Sequence, residues 1–195
     1  VSPTALNMYK LCSIEFYFYY LVKIREAIQI DEFADNSLMG SAIHYFLEEF
    51  YPNDVLRSSD FHNHDTKAKK SLHSFYKKYL SENNFNQGRN YLSLKVAEKL
   101  VNDFMIYEEN LVVEKNHIQI LYKEKELTLN FKVDEYNFKL LGNIDRIDIT
   151  NNTVRIIDYK TGKNISNSEL TFSDWDEVSD NPKKDKVFQL LMYSY

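Results

Sequence analysis

The chain has 195 residues, enough for one domain with its own hydrophobic core, and its 44% apolar and 27% charged residues are an ordinary balance for a globular protein. Four glycines and three prolines beside 15% aromatics exclude low-complexity classes, and the lone Cys12 excludes an internal disulfide framework, which makes a reducing cytoplasm the expected setting. A net charge of −5 counts against non-specific grip on a polyanion, which draws on Lys and Arg. Two local basic clusters run against that total, Lys67, Lys69, Lys70, Lys77 and Lys78, then Lys183, Lys184 and Lys186; each reads equally as solvated surface. The aromatic run from Phe16 to Val22 is too short for a membrane span and is closed by Lys23 and Arg25, and no signal peptide is read. A start at Val1 and a helical pattern still running at Tyr195 lead to the expectation of a fragment of a longer chain.

Ser2-Pro3 is a helix-start signal, and the helix is expected to reach about Ile24. A second is expected from about Ser37, with Leu38, Ile43, Phe46, Leu47 and Phe50 at helical spacing and an end before Pro52. Asp65 is the candidate cap of a third, whose Leu72, Phe75, Tyr76, Tyr79 and Leu80 form an apolar stripe. Beyond an asparagine-rich break from Asn83 to Asn90, a fourth is expected from about Leu92 to Glu109. From Ile118 the period becomes alternating: Leu127, Leu129, Phe131 and Val133 share one face, Glu126, Thr128, Asn130 and Lys132 the other. A turn within Asp134 to Asn137 leads to a strand from Phe138 to Ile149; Asn151-Asn152 turns the chain again, and Val154 to Lys160 returns. Lys163 to Lys186 is polar and reads as a long loop, in which Trp175 is either a base-stacking or an anchoring residue; a last helix starts near Val187. Helices, then antiparallel hairpins, then a helix give an α/β or α+β sandwich with a mixed β-sheet. It is expected as one domain over 1–195, with residues 1–110 helical and residues 117–195 carrying the sheet.

If Asn151-Asn152 is a two-residue turn, Ile149 faces Val154, Ile147 faces Ile156 and Asp145 faces Asp158, with Lys160 two residues on and on the same side. Directly opposed Cβ atoms lie about 4.5–5.5 Å apart, where like charges repel. A divalent cation between the two carboxylates reverses that sign, because hard oxygen ligands are what Mg²⁺ takes. Lys160 is then either a structural ion-pair partner or a group that orients an attacking water and neutralises charge on a phosphate. A first turn at Glu135-Tyr136 would set Glu126 opposite Asp145, so Glu126 is either a further carboxylate in the row or a plain surface residue.

Gly142-Asn143-Ile144-Asp145-Arg146-Ile147-Asp148, followed by Asp158-Tyr159-Lys160-Thr161-Gly162, resembles the G-x-x-D-R-x-D and D-Y-K-T-G motifs of RecB-like PD-(D/E)XK nucleases, a group that includes AddB-type helicase–nuclease subunits and CRISPR-adaptation nucleases. In the same order, Ser2-Pro3-Thr4 to Tyr9 with Cys12 resembles the family's N-terminal segment, Gly40 to His44 its G-x-x-x-H helix, and Gln189 to Tyr193 its Q-x-x-x-Y helix. The resemblance implies a restriction-endonuclease-like core with Asp145, Asp158, His44 and the backbone carbonyl of Tyr159 as ligands of Mg²⁺ or Mn²⁺, Lys160 as the catalytic lysine, and Gln189 and Tyr193 as substrate-binding residues. Read without it, His44 is an ordinary surface or satisfied core histidine, Gly40 a packing residue, and Gln189 and Tyr193 members of an amphipathic helix; Arg146 reads as structural, pairing with Asp148 or a helix on the opposite sheet face. Some relatives tie the N-terminal cysteine into an iron–sulfur cluster; one thiolate cannot hold one, so no cluster forms within these residues and Cys12 reads as a small buried hydrophobe. The implied activity is metal-dependent hydrolysis of DNA, as an exonuclease in repair or recombination with a helicase domain or subunit as partner. The alternative is a catalytically silent module of the same fold that binds DNA ends or a partner.

Overall fold

The computed structural model describes residues 2–25, 36–80, 86–114, 116–162, 166–181 and 184–194. Asn83 and Asn84 of the asparagine-rich break, and Lys163 and Lys183, lie outside them. Helix α1 (Pro3–Leu11) starts as expected, with the Ser2 hydroxyl accepting the Ala5 N–H at 3.1 Å. It does not run on to Ile24. Cys12 turns extended and its sulfur caps α2 (Ser13–Phe16), which passes into a π-helical stretch, Tyr17–Val22. That use of the thiol leaves Cys12 exposed, contrary to the buried reading. Helix α3 (Asn36–Phe50) stops before Pro52, and α4 (His64–Tyr79) starts one residue ahead of Asp65, with Asn63, in the left-handed region at φ 59°, at its N-cap position and making no side-chain cap bond. Helix α5 (Gly88–Val113) extends beyond the expected bounds at both ends.

Three strands follow, β1 (Ile118–Val133), β2 (Tyr136–Thr150) and β3 (Thr153–Ile157), in sheet order β1-β2-β3. The β2–β3 register is the expected one, with Ile147 paired to Ile156 and Ile149 to Val154. Asn151 and Asn152 both take positive φ, 49° and 69°, the two-residue turn that matches strand twist. β3 ends at Ile157, so Asp158 to Lys160 leave the ladder. The first turn falls at Asp134-Glu135, with Asp134 at φ 52°, one residue earlier than expected. A two-residue turn there puts Glu124, and not Glu126, across from Asp145. The segment expected as one long loop holds two short helices, α6 (Asn167–Leu170) and α7 (Trp175–Asp180), each started by a side-chain cap: Ser166 with Glu169, and Asp174 on the Glu177 N–H. Trp175 opens α7 67% exposed, its ring beside that of Phe172, and is no buried anchor. Helix α8 (Asp185–Ser194) closes the chain. Helices around antiparallel hairpins are the fold class that the sequence pattern indicates.

The chain divides into two compact units. The central unit, Gln29–Glu124 with Asp145–Gly162, holds a core of Ala42, Phe46 and Leu47 from α3, Leu72 and Tyr76 from α4, Leu94, Val101 and Met105 from α5, and Ile118 and Ile120 from β1. The terminal unit comprises Val1–Ile28, Lys125–Ile144 and Lys163–Tyr195. There α1 packs on α8, and Lys184, from the second basic cluster, is buried: it donates to the Ser168 and Thr171 carbonyls at 2.7 and 2.5 Å and pairs with Glu177. Among the described residues no helix is long and apolar enough to cross a membrane.

Candidate metal centre

Within the central unit, α3 approaches the segment that follows β3 unusually closely. A Cβ on Gly40 would lie 3.2 Å from the Thr161 hydroxyl, so the bare glycine permits the contact. His44, one turn on, thereby reaches the same segment: its Nε2 lies 3.2 Å from the Tyr159 carbonyl oxygen, and its Nδ1 lies 3.2 Å from Glu124 Oε1 and 3.6 Å from Asp145 Oδ1. Because β3 has ended, the Tyr159 backbone is free of the ladder; its N–H donates to Asp145 Oδ2 at 2.5 Å while its carbonyl meets His44. One residue therefore orients both an acid and an imidazole.

Tyr159 is itself held by a buried polar network. Its ring packs edge-on to Phe104 and His44, and its hydroxyl accepts from Arg146 Nη1 at 3.2 Å. Arg146, fully buried, grips both Glu108 oxygens at 2.8 and 2.7 Å and donates to Asp148 at 2.9 Å; Asp148 also receives Arg155, and Glu108 receives the Tyr51 hydroxyl. Burial alone would push the Asp148 carboxyl up, but the bonds and charges of Arg155 and Arg146 outweigh it and hold the carboxyl below its ordinary value. The two structural partners that the sequence offers Arg146, Asp148 and a helix, are thus both used. Such a closed set of buried charges is tolerated because every member is paired.

The centre itself is less balanced. Burial pushes the Asp145 carboxyl up and the Asp158 and Glu124 charges add to this, against the opposing Tyr159 N–H and His44, and the net direction is upward. Nε2 of His44 faces the Tyr159 carbonyl, which can only accept, and Nδ1 faces the Glu124 and Asp145 carboxyl oxygens. His44, Glu124 and Asp145 each offer a ligand atom, all within 4.8 Å of one another. Two carboxylates at that separation repel by about 3–4 kcal/mol at an effective dielectric constant near 20. One imidazole, two carboxylates and an adjacent carbonyl are a donor set that suits a hard or borderline divalent cation, and the residues present fit such an ion.

Of the residues singled out from sequence, His44, Asp145 and the Tyr159 carbonyl come together here. Asp158 is close enough to bear on Asp145 but is not one of the three convergent ligands; its carboxylate pairs with Lys160 Nζ at 2.5 Å. The Lys160 side chain, 39% exposed, lines an open cavity of about 640 Å³ together with Gly40, His44, Glu124 and Tyr159. Glu124 is the acid that sequence reading missed, and the position of the first turn was the signal for it. Glu126 is exposed and outside the cluster. Gln189 and Tyr193 belong to the terminal unit, where the Gln189 amide donates to the Tyr193 hydroxyl at 3.0 Å and that hydroxyl donates to the Asn143 carbonyl at 2.9 Å.

Compared with known protein families, the chain matches the family model described as the PD-(D/E)XK nuclease superfamily over residues 1–195. Comparison with curated proteins gives no match.

Proposed function

The chain belongs to the PD-(D/E)XK nuclease superfamily, and from that premise we propose that it is a divalent-metal-dependent deoxyribonuclease that hydrolyses phosphodiester bonds. The observation that carries this reading is the convergence of His44, Glu124 and Asp145, of which His44 and Glu124 line a cavity together with Lys160. His44, Asp145 and Glu124 would hold Mg²⁺ or Mn²⁺, with the Tyr159 carbonyl and Asp158 as the remaining ligands. Such an ion, when bound, supplies charge stabilisation at the scissile phosphate and a water of lowered pKa. The Tyr159 N–H aims the Asp145 carboxylate. Lys160, held by Asp158, presents its ammonium to the cavity, where it neutralises charge growing on the phosphate and orients the attacking water. Gln189 and Tyr193 are assigned to the DNA strand on the strength of the Q-x-x-x-Y motif. The order of motifs along the chain supports a finer assignment, a RecB-like, AddB-type exonuclease of DNA repair or recombination working with a helicase in the cytoplasm.

Linear DNA incubated with the purified chain and Mg²⁺ or Mn²⁺ tests the reading. Hydrolysis is expected, and Lys160→Ala should slow it by about 10²–10³-fold, the usual loss when one electrostatic stabiliser is removed. Equal rates for the two proteins would sink the assignment. Calorimetric titration separates the silent module: DNA binding without any Mn²⁺ uptake would favour that module.

A further inference from the structure

The cavity in front of His44 and Lys160 has a second wall that the proposed chemistry does not use. Tyr45 of α3 and Phe75 and Tyr79 of α4 line it. Their rings form a continuous ladder, with Tyr45 and Phe75 centroids 5.4 Å apart at 41° and Phe75 and Tyr79 centroids 4.6 Å apart at 34°. Phe75 anchors the ladder by packing on the core, while Tyr45 and Tyr79 remain 41% and 53% exposed. Tyr45 follows His44 directly, so the ladder starts beside the candidate metal centre, and Phe75 and Tyr79 are one turn apart on one face of α4. The Tyr45 hydroxyl donates to Glu49 at 2.7 Å, which fixes that ring's orientation. Core packing accounts for Phe75 but not for the two rings beside it, which stay open to solvent on the cavity wall.

We infer that Tyr45, Phe75 and Tyr79 form a base-stacking subsite that takes the unpaired nucleobases of a strand whose phosphate lies at the His44–Lys160 end. An aromatic wall recognises the π-face of a base, and that face is reachable only where the base is unpaired and unstacked. Glu48 lines the same cavity and Glu49 holds the Tyr45 hydroxyl, so phosphates are repelled from the Tyr45 part of the wall, while Lys78 Nζ lies 5.4 Å from the Tyr79 ring centroid; Lys160, the lysine lining the cavity, draws the backbone to its own end. The subsite thus selects single-stranded ends or frayed termini over intact duplex. The inference deepens the nuclease reading and rests on it for the identity of the polymer as DNA.

Fluorescence anisotropy in a chelator, where no strand is cut, tests the subsite apart from catalysis. Three labelled probes of equal length serve: an oligothymidylate, a blunt duplex, and an abasic strand that keeps the phosphates and lacks the bases. The wild-type chain should prefer the oligothymidylate to both others. Tyr45→Ala and Tyr79→Ala should each weaken that binding by about tenfold, leave the abasic strand unaffected, and be matched by Tyr79→Leu, whereas Tyr79→Phe keeps wild-type affinity. Should Tyr45→Ala fail to fold, the more exposed Tyr79 carries the test. Wild-type indifference to the presence of bases, or alanine variants as tight as wild type, overturns the subsite. Neither outcome bears on the nuclease reading, which fails separately if Lys160→Ala cuts DNA at the wild-type rate.

Discussion

Asp145 is 8% exposed and faces Glu124, Asp158 and His44, and burial together with the two acids pushes its carboxyl pKa up. A carboxyl with a raised folded-state pKa binds more protons folded than unfolded. Its favourable contribution is therefore full below the unfolded value near pH 3.9 and is lost as pH rises through the raised folded value. At neutral pH a charged Asp145 weakens the metal-free chain, the sign expected of a group built to meet a cation. Asp145→Asn keeps an oxygen for the Tyr159 N–H and removes the charge. It should raise the metal-free melting temperature at pH 7 by a few degrees, on the scale of about 2–4 °C per kcal/mol for a chain of this size, and abolish the further rise that Mg²⁺ or Mn²⁺ gives the wild type. Scanning calorimetry with and without metal checks both halves; a variant that melts lower in chelator would mean that its neighbours stabilise the Asp145 charge.

Between elements, two glycines set close approaches of different hardness. A Cβ on Gly142 of β2 would sit 2.9 Å from Tyr193 Cε1, in a ring pinned through its hydroxyl to Asn143 and Gln189. On Gly40 it would meet only the Thr161 hydroxyl at 3.2 Å, which can rotate, and alanine is the better helix former by about 1 kcal/mol. Gly142→Ala should thus lower stability by about 1–3 kcal/mol, while Gly40→Ala leaves the urea midpoint near wild type; equal midpoints for the two variants would contradict this. The same contrast between rigid and permissive local rules decides what is legible in the sequence. Asn151-Asn152 admits one turn, so the β2–β3 pairing can be read to the residue. Asp134 to Asn137 offers several turn formers, and moving the turn by one residue moves the pairing by two, which preserves the face and exchanges Glu126 for Glu124. The break at Cys12 carries no glycine or proline to announce it, and α6 and α7 are too short to show a period, leaving only their caps as signals. Tyr79 fits an apolar stripe in the sequence, yet periodicity does not tell a core face from a cavity wall, and the ring is exposed.

Across the whole molecule, 24 Lys and Arg stand against 29 Asp and Glu. The basic cluster on α4 is partly engaged at home: Lys69 pairs with Asp65 at 2.7 Å, and Lys67 donates to the Asp60 carbonyl at 3.3 Å. Lys160 is the cation among the described residues that line the cavity. Few phosphates can therefore be neutralised, and affinity for a single strand, falling with a slope of about −0.7 per phosphate contact on a double-logarithmic plot, should be only weakly sensitive to salt. Between 50 and 200 mM NaCl, two contacts correspond to a loss of roughly sevenfold, against about 10³–10⁵-fold for a protein making six to ten contacts on duplex. Stacking on Tyr45, Phe75 and Tyr79 is largely unscreened and would persist across that range. Anisotropy titrations of the oligothymidylate at a series of salt concentrations measure the slope directly. A thousandfold loss over the same interval would place the grip on phosphates, and with it on the lysines of α4, in place of the aromatic wall.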